Sequence, residues 1–411
     1  METYKRWQTL AVKNALQYRR VILLAGARQC GKTTLAQDVS TPNSIYRTLD
    51  SIQMLEASIA DPEGFVAHGN ELMIIDEVQR SPLLLQAIKK NVDENKNYGR
   101  FLLTGSANIQ SLPGVTESLA GRVTNIRLRP LSLGEIHGTP PDFIDRAFEG
   151  QFKTTIPQKS YNKDDYLRLA FIGGYPEAHA LPAEQAPKWH QDYIKALIER
   201  DLKDIVNIRR KDSMYKLLQV LAAWSSKEIN IQSIGSTLSI ERPTIESYVN
   251  ALETLYLIDR VKAWASTDYE GTRRKDKLLF SDTGLMTSIL RWTLDQVQLD
   301  GERNGKLIET FVYQQLISII EAHDNKYTLY HYRDAAKHEI DFLIENADGD
   351  LLGIEIKAGS SVQRSHFKNL EWFKTTVAKN KRFQGIVLYT GQDVLSFGDR
   401  MWAVPISSLW A

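Results

Sequence analysis

One octapeptide, Gly26-Ala27-Arg28-Gln29-Cys30-Gly31-Lys32-Thr33, constrains this chain more than any other feature. It satisfies G-x-x-x-x-G-K-[ST], follows the apolar run 21–25 and opens an amphipathic stretch through Leu35 and Val39. Strand, glycine-rich loop and helix in that order make a phosphate cradle. Gly26 and Gly31 let the backbone curl so that its N–H groups converge on phosphate oxygens, and the helix N-terminus adds its dipole. Lys32 then reaches the β- and γ-phosphates, and the Thr33 hydroxyl ligates Mg²⁺. The expected nucleotide contacts are Gly26, Ala27, Arg28, Gln29, Cys30, Gly31, Lys32, Thr33 and Thr34. A chance glycine turn would leave the flanking strand and helix unexplained.

The surroundings follow from the same pattern. The apolar runs 45–49, 72–75 and 101–103 lack in–out alternation and are separated by helical periodicity, notably over 83–92. Strands buried on both faces between helices indicate a parallel sheet, hence an α/β P-loop NTPase fold. The run 72–75 ends in Asp76-Glu77. Asp76 is thereby expected at the strand's carboxyl edge holding Mg²⁺, with Glu77 beside it as base for the attacking water. A surface pair of acids is the alternative. The run 101–103 leads into Thr104-Gly105-Ser106, so Thr104, Ser106 or Asn108 senses the γ-phosphate if this strand neighbours the loop strand.

These segments carry a resemblance. GARQCGKTT, LMIIDEVQRSP, LLTGSA and LAGRVTNIRLRPLSLGEI are similar to the AAA-type ATPase domain of a large family of predicted bacterial and archaeal ATPases. The family carries a C-terminal domain of unknown function, and FIGGYPE at 171–177 and IERDL at 198–202 resemble its second half. The resemblance implies an ATPase that uses ATP and Mg²⁺ and is capable of homo-oligomers. It also gives Arg122 the place of a γ-phosphate-facing arginine, in cis or from a neighbouring subunit; a surface salt bridge is the competing reading. Cys30 stands where such loops more usually have a small aliphatic residue, and a thiol beside a helix N-terminus is expected to ionise readily.

With 411 residues, two or three domains are expected. They divide as an ATPase domain over 1–137, a Gly/Pro/Thr-rich linker over 138–160, a helical region over 161–290 and a small α/β domain over 291–411. In the third, 231–238 and 243–255 read as helix, turn and helix before a strand at 258–264, which resembles a winged helix. The second of these helices holds no Lys or Arg from Pro243 to Leu255; the basic cluster Arg273, Arg274, Lys275 and Lys277 lies in the wing. DNA binding and subunit packing both remain open there.

In the last region a helix at 306–320 precedes strands at 327–333, 338–344, 351–357 and 385–389, with Asn346-Ala347-Asp348-Gly349 as a hairpin turn. Asp341, Glu355 and Lys357, with Glu309 upstream, resemble the PD-(D/E)XK endonuclease-like core. There two acids hold a divalent metal such as Mg²⁺ and the lysine orients the attacking water. The alternative is a degenerate module in which Lys357 lies between Asp341 and Glu355 as a satisfied ion cluster.

Composition limits the partners. With 51 basic and 50 acidic residues the net charge is +1, so any nucleic-acid contact needs a local patch. One cysteine excludes an intrachain disulfide, and the absence of a signal peptide or an apolar run of about 18 residues favours the cytoplasm over a membrane. The eight histidines show no ligand spacing. Three functions stay open: an ATP-dependent enzyme on DNA, a nucleotide-controlled switch for a protein partner, and an oligomeric scaffold.

Overall fold

Five consecutive apolar residues buried without exception put β1 (Val21–Ala25) in the interior of a sheet. β2 (Ile45–Thr48), β3 (Met73–Asp76), β4 (Phe101–Gly105) and β5 (Val123–Arg127) join it in the order β2-β3-β4-β1-β5, every pairing parallel. β3 and β4 are also wholly buried, whereas the edge strands are half-buried. Ile22, Leu24, Ile74 and Leu102 form one core with Val12 and Ala15 of the helix Gln8–Leu16 and with Leu35 and Ala36 of α1 (Lys32–Asp38). The computed structural model describes residues 4–106, 121–152, 160–205, 211–271, 274–323 and 326–411. These fall into two units: one runs to Leu131 and includes Glu253–Leu257, and the other comprises Ser132–Leu252 and Ile258–Ala411.

The second unit absorbs part of the expected linker. Phe143–Glu149 is a helix burying Phe143, Ile144 and Ala147, with Gly138 and Gly150 at φ 69° and 68° closing the turns on either side. Beyond it, α2 (Ile231–Leu238) and α3 (Arg242–Thr254) lie in the chain between the first and second strands of a small antiparallel sheet of β6 (Lys227–Glu228), β7 (Ile258–Val261) and β8 (Lys277–Phe280). Ile245, Tyr248, Val249 and Leu252 are buried, as the period of α3 requires.

α4 (Gly301–Ala322) then leads into β9 (Tyr327–Arg333), β10 (Glu339–Asn346) and β11 (Leu351–Lys357), paired antiparallel. α5 (Lys368–Thr376) crosses over to β12 (Phe383–Tyr389), parallel to β11, and β13 (Leu395–Ser396) and β14 (Met401–Pro405) complete the order β13-β14-β12-β11-β10-β9. The hairpin turn is as its residues dictate: Gly349 takes φ 80°, and the Asn346 side chain accepts the Asp348 and Asp350 amides. Within this unit the segment after β7 of the small sheet packs into the core of the large one. Ala263 bridges to His331, and the Trp264 ring lies 5.5 Å from that of Phe373.

Candidate functional site

The phosphate loop owes its shape to two glycines used differently. Gly31, before α1, takes φ 101°, which a side chain rarely tolerates. Gly26 is required for space instead: a Cβ there would lie 2.1 Å from the Leu128 carbonyl oxygen. Lys32 is buried, and its Nζ donates to the carbonyl oxygens of Gly26 (3.1 Å) and Ala27 (2.8 Å). Arg28, Gln29 and Thr34 are exposed around the loop. Cys30 is fully buried and donates to the Leu128 carbonyl at 3.3 Å, which makes it packing on the loop's inner side. From outside, Arg6 donates to the Cys30 carbonyl (2.7 Å) and the Arg129 carbonyl (2.6 Å), tying the loop to the chain after β5.

β4 neighbours β1, with Gly105 paired to Ala25, so the carboxyl ends of β1, β4 and β3 lie side by side. Thr33 Oγ1 donates to Asp76 Oδ2 at 3.0 Å. The same carboxylate accepts the Tyr46 hydroxyl at 2.9 Å and that of Thr104. Burial, then Asp76, hold the Tyr46 phenol above its ordinary range. Glu77 takes φ 58°, a strained conformation for a side chain, and its N–H donates to Thr104 Oγ1 at 3.0 Å. Its carboxylate accepts Ser106 Oγ at 3.0 Å and the Gln79 amide, while Gln79 Nε2 also reaches Ser106 Oγ at 2.9 Å. Thr33, Asp76, Glu77, Thr104 and Ser106 therefore converge; Tyr46, Gln79 and Arg6 are additions that no local motif marks. The hydroxyl and carboxylate oxygens of Thr33 and Asp76 suit a hard cation such as Mg²⁺. Asn108 lies outside the described residues.

Arg122 is elsewhere. It precedes Val123, which pairs with Val21 at the start of β1, whereas the loop follows Ala25 at the other end. Five residues of strand put about 16 Å between those edges. Arg122 instead grips Asp93, Nε to Oδ1 at 2.6 Å and Nη2 to Oδ2 at 3.0 Å. That geometry corrects the cis reading, since this side chain does not reach its own subunit's loop.

In the second unit, β10, β11 and α4 bring Asp341, Glu355, Lys357 and Glu309 together. Asp341 Oδ2 accepts the Ile356 amide at 2.8 Å across the hairpin. Lys357 Nζ donates to Glu355 Oε2 at 3.0 Å, while Glu355 Oε1 is buried without a hydrogen-bond partner. Burial and the nearby Asp341 push the Glu355 carboxyl up to about 8. The cation between acids is not Lys357 but Lys277 of β8, 2.5 Å from Glu309 and 3.9 Å from Asp341. Burial pushes the Glu309 carboxyl up, against the pull of Lys277. Among the described residues, no three acid, His or Cys side chains converge as a metal-binding group.

Lys277 also leaves the expected basic wing smaller. It is buried among acids, and Arg274 turns inward, donating to the Trp264 carbonyl with its guanidinium 5.3 Å from the Tyr332 ring centre. Arg273 lies outside the described residues, which leaves Lys275 as the exposed member of the cluster among those described.

One family model covers most of the first unit. Residues 18–137 match the model of the AAA domain. The chain thus carries an AAA-type ATPase domain. Residues 163–296 and 304–409 match two models of domains of unknown function. An uncharacterized protein of Mycobacterium tuberculosis is 28% identical over 407 residues, covering 97% of this chain and 82% of that one. An uncharacterized protein of Methanocaldococcus jannaschii is 23% identical over 409 residues, covering 90% and 83%. Among solved structures, Thermotoga maritima RuvB matches with a TM-score of 0.27 at 17% identity, over 62% of this chain and 87% of that one. No described helix is long and apolar enough to cross a membrane.

Proposed function

We propose that this chain is a Mg²⁺-dependent ATPase whose second unit acts on DNA. The observation that supports ATP turnover is the convergence of Thr33, Asp76, Glu77 and Ser106 beside the loop. Lys32 and the loop amides hold the phosphates, and Thr33 and Asp76 hold the ion. When bound, Mg²⁺ neutralises charge on the β- and γ-phosphates. Glu77 takes the proton of the attacking water, and Ser106 and Gln79 aim its carboxylate. ATP turnover is expected to vanish on chelation of divalent cations and to return with Mg²⁺ or Mn²⁺. Phosphate release that persists with EDTA excludes this assignment.

For the second unit, the reading rests on Asp341, Glu355 and Lys357 at the end of a hairpin, behind a helix carrying Glu309, in the order helix, three antiparallel strands, helix, parallel strand. The buried, unpartnered Glu355 Oε1 supports a cation held there with Asp341. Such an ion supplies Lewis-acid activation of a phosphodiester. The expected result is Mg²⁺- or Mn²⁺-dependent cleavage of single- or double-stranded DNA that Asp341→Ala abolishes while leaving ATP turnover in place. Failure of folded, ATP-hydrolysing wild type to cut either DNA would favour the other role, a nucleotide-controlled switch for a protein partner. If Arg122 acts on a nucleotide in a homo-oligomer, that nucleotide is a neighbour's.

A further inference from the structure

Lys277 belongs by sequence to the small sheet, yet its ammonium lies among the carboxylates of the large one. Its side chain is 3% exposed; it forms ion pairs with Glu309 and Asp341 Oδ1 and donates to the Asp341 backbone carbonyl at 3.3 Å. The Phe342 ring closes one side, its centre 5.1 Å from Nζ. Glu339 of β10 and His331 of β9 also face this lysine. Lys357, by contrast, is one-third exposed and bonds Glu355. The acids therefore define two cation positions. One, between Glu309 and Asp341, is filled by an ammonium that solvent does not reach. The other lies between Asp341 and Glu355, where Glu355 Oε1 has no partner.

We propose that Lys277 is a built-in cation occupying the first position, so that the cluster takes one divalent ion, on Asp341 and Glu355, and not a pair. This inference rests on the cation reading of the second unit given above. Two divalent ions sharing carboxylates lie about 3.5–4 Å apart. A fixed ammonium 3.9 Å from Asp341 Oδ1 already occupies that neighbourhood and repels a second ion. The lysine comes from β8, so the number of ions held by the large sheet is set by the region before it.

The test is an equilibrium Mn²⁺ titration of the full chain, following free ion by electron paramagnetic resonance. It is done without nucleotide and in an Asp76→Asn background, which removes ions held beside the phosphate loop. One ion per chain is expected, lost in Asp341→Asn. Lys277→Met is expected to bind two. If that variant folds only with Mn²⁺, a rise in its thermal midpoint with the ion well beyond the parent's supports the same conclusion. Lys277→Met with Glu309→Gln removes both charges of the pair, keeps the buried shape, and is expected to return to one ion. Two ions in the parent overturn the proposal. So does one ion in Lys277→Met with no extra stabilisation by Mn²⁺. No ion in the parent instead removes the cation reading of Asp341 and Glu355, and this inference with it.

Discussion

Glu77→Gln is expected to bind ATP as tightly as the parent and to hydrolyse it about 10²- to 10⁴-fold more slowly, the usual contribution of a positioned base. The substitution keeps the size and hydrogen-bonding reach of the side chain. The new amide oxygen still accepts the Ser106 hydroxyl, and the backbone still donates to Thr104. What disappears is the capacity to take a proton. Lys32→Ala is the contrasting control. It deletes a buried ammonium that now caps the Gly26 and Ala27 carbonyls, and it should abolish binding itself. Equilibrium binding of a fluorescent nucleotide together with phosphate release separates the two. Retained turnover in Glu77→Gln would move the base to another group. Weakened binding in that variant would mean that Glu77 shapes the pocket.

The features legible in the sequence were those fixed by neighbours a few positions away. VILLA must be buried on both faces, and G-x-x-x-x-G-K-T admits few backbones, so β1, the loop and α1 follow directly. β5 carries no such mark: Val123-Thr124-Asn125-Ile126-Arg127 is mostly polar, because an edge strand faces water on one side. Lys277 shows the harder case. In Arg273-Arg274-Lys275-Asp276-Lys277 it is one of four basic residues in a run of five. Only the pairing of β8 with β7 turns it inward, and its acidic partners lie 32 and 64 positions away. Tyr46 and Arg6 are invisible for the same reason, since each acts on a group distant in sequence. Arg122 is the reverse case. A local motif resemblance suggested a role on the loop, and the strand register then put it at the opposite edge.

Gly26→Ala is expected to cost nucleotide affinity about 10²-fold or more, as misplacements near 1 Å commonly do. The reason differs from the usual one for a loop glycine. Gly26 is absent from the residues with positive φ, so alanine meets no backbone prohibition there. The obstacle is the Leu128 carbonyl oxygen, 2.1 Å from where Cβ would stand, and a backbone atom just beyond β5 has no rotamer to yield. Either the loop lifts or the segment after β5 moves, and both lie against the Cys30 thiol that bonds the same oxygen. Overpacking of this kind costs about 1–3 kcal/mol. Gly31→Ala probes the other mechanism: at φ 101° the strain is in the backbone itself, and Arg6 is the nearest atom at 3.3 Å. Truncating Arg6 would relieve crowding at Gly31 but leave the Gly26→Ala defect untouched. Nucleotide binding and thermal midpoints of the two single variants, each with and without Arg6→Ala, check this. Restoration of Gly26→Ala by the Arg6 change would overturn the carbonyl clash as its cause.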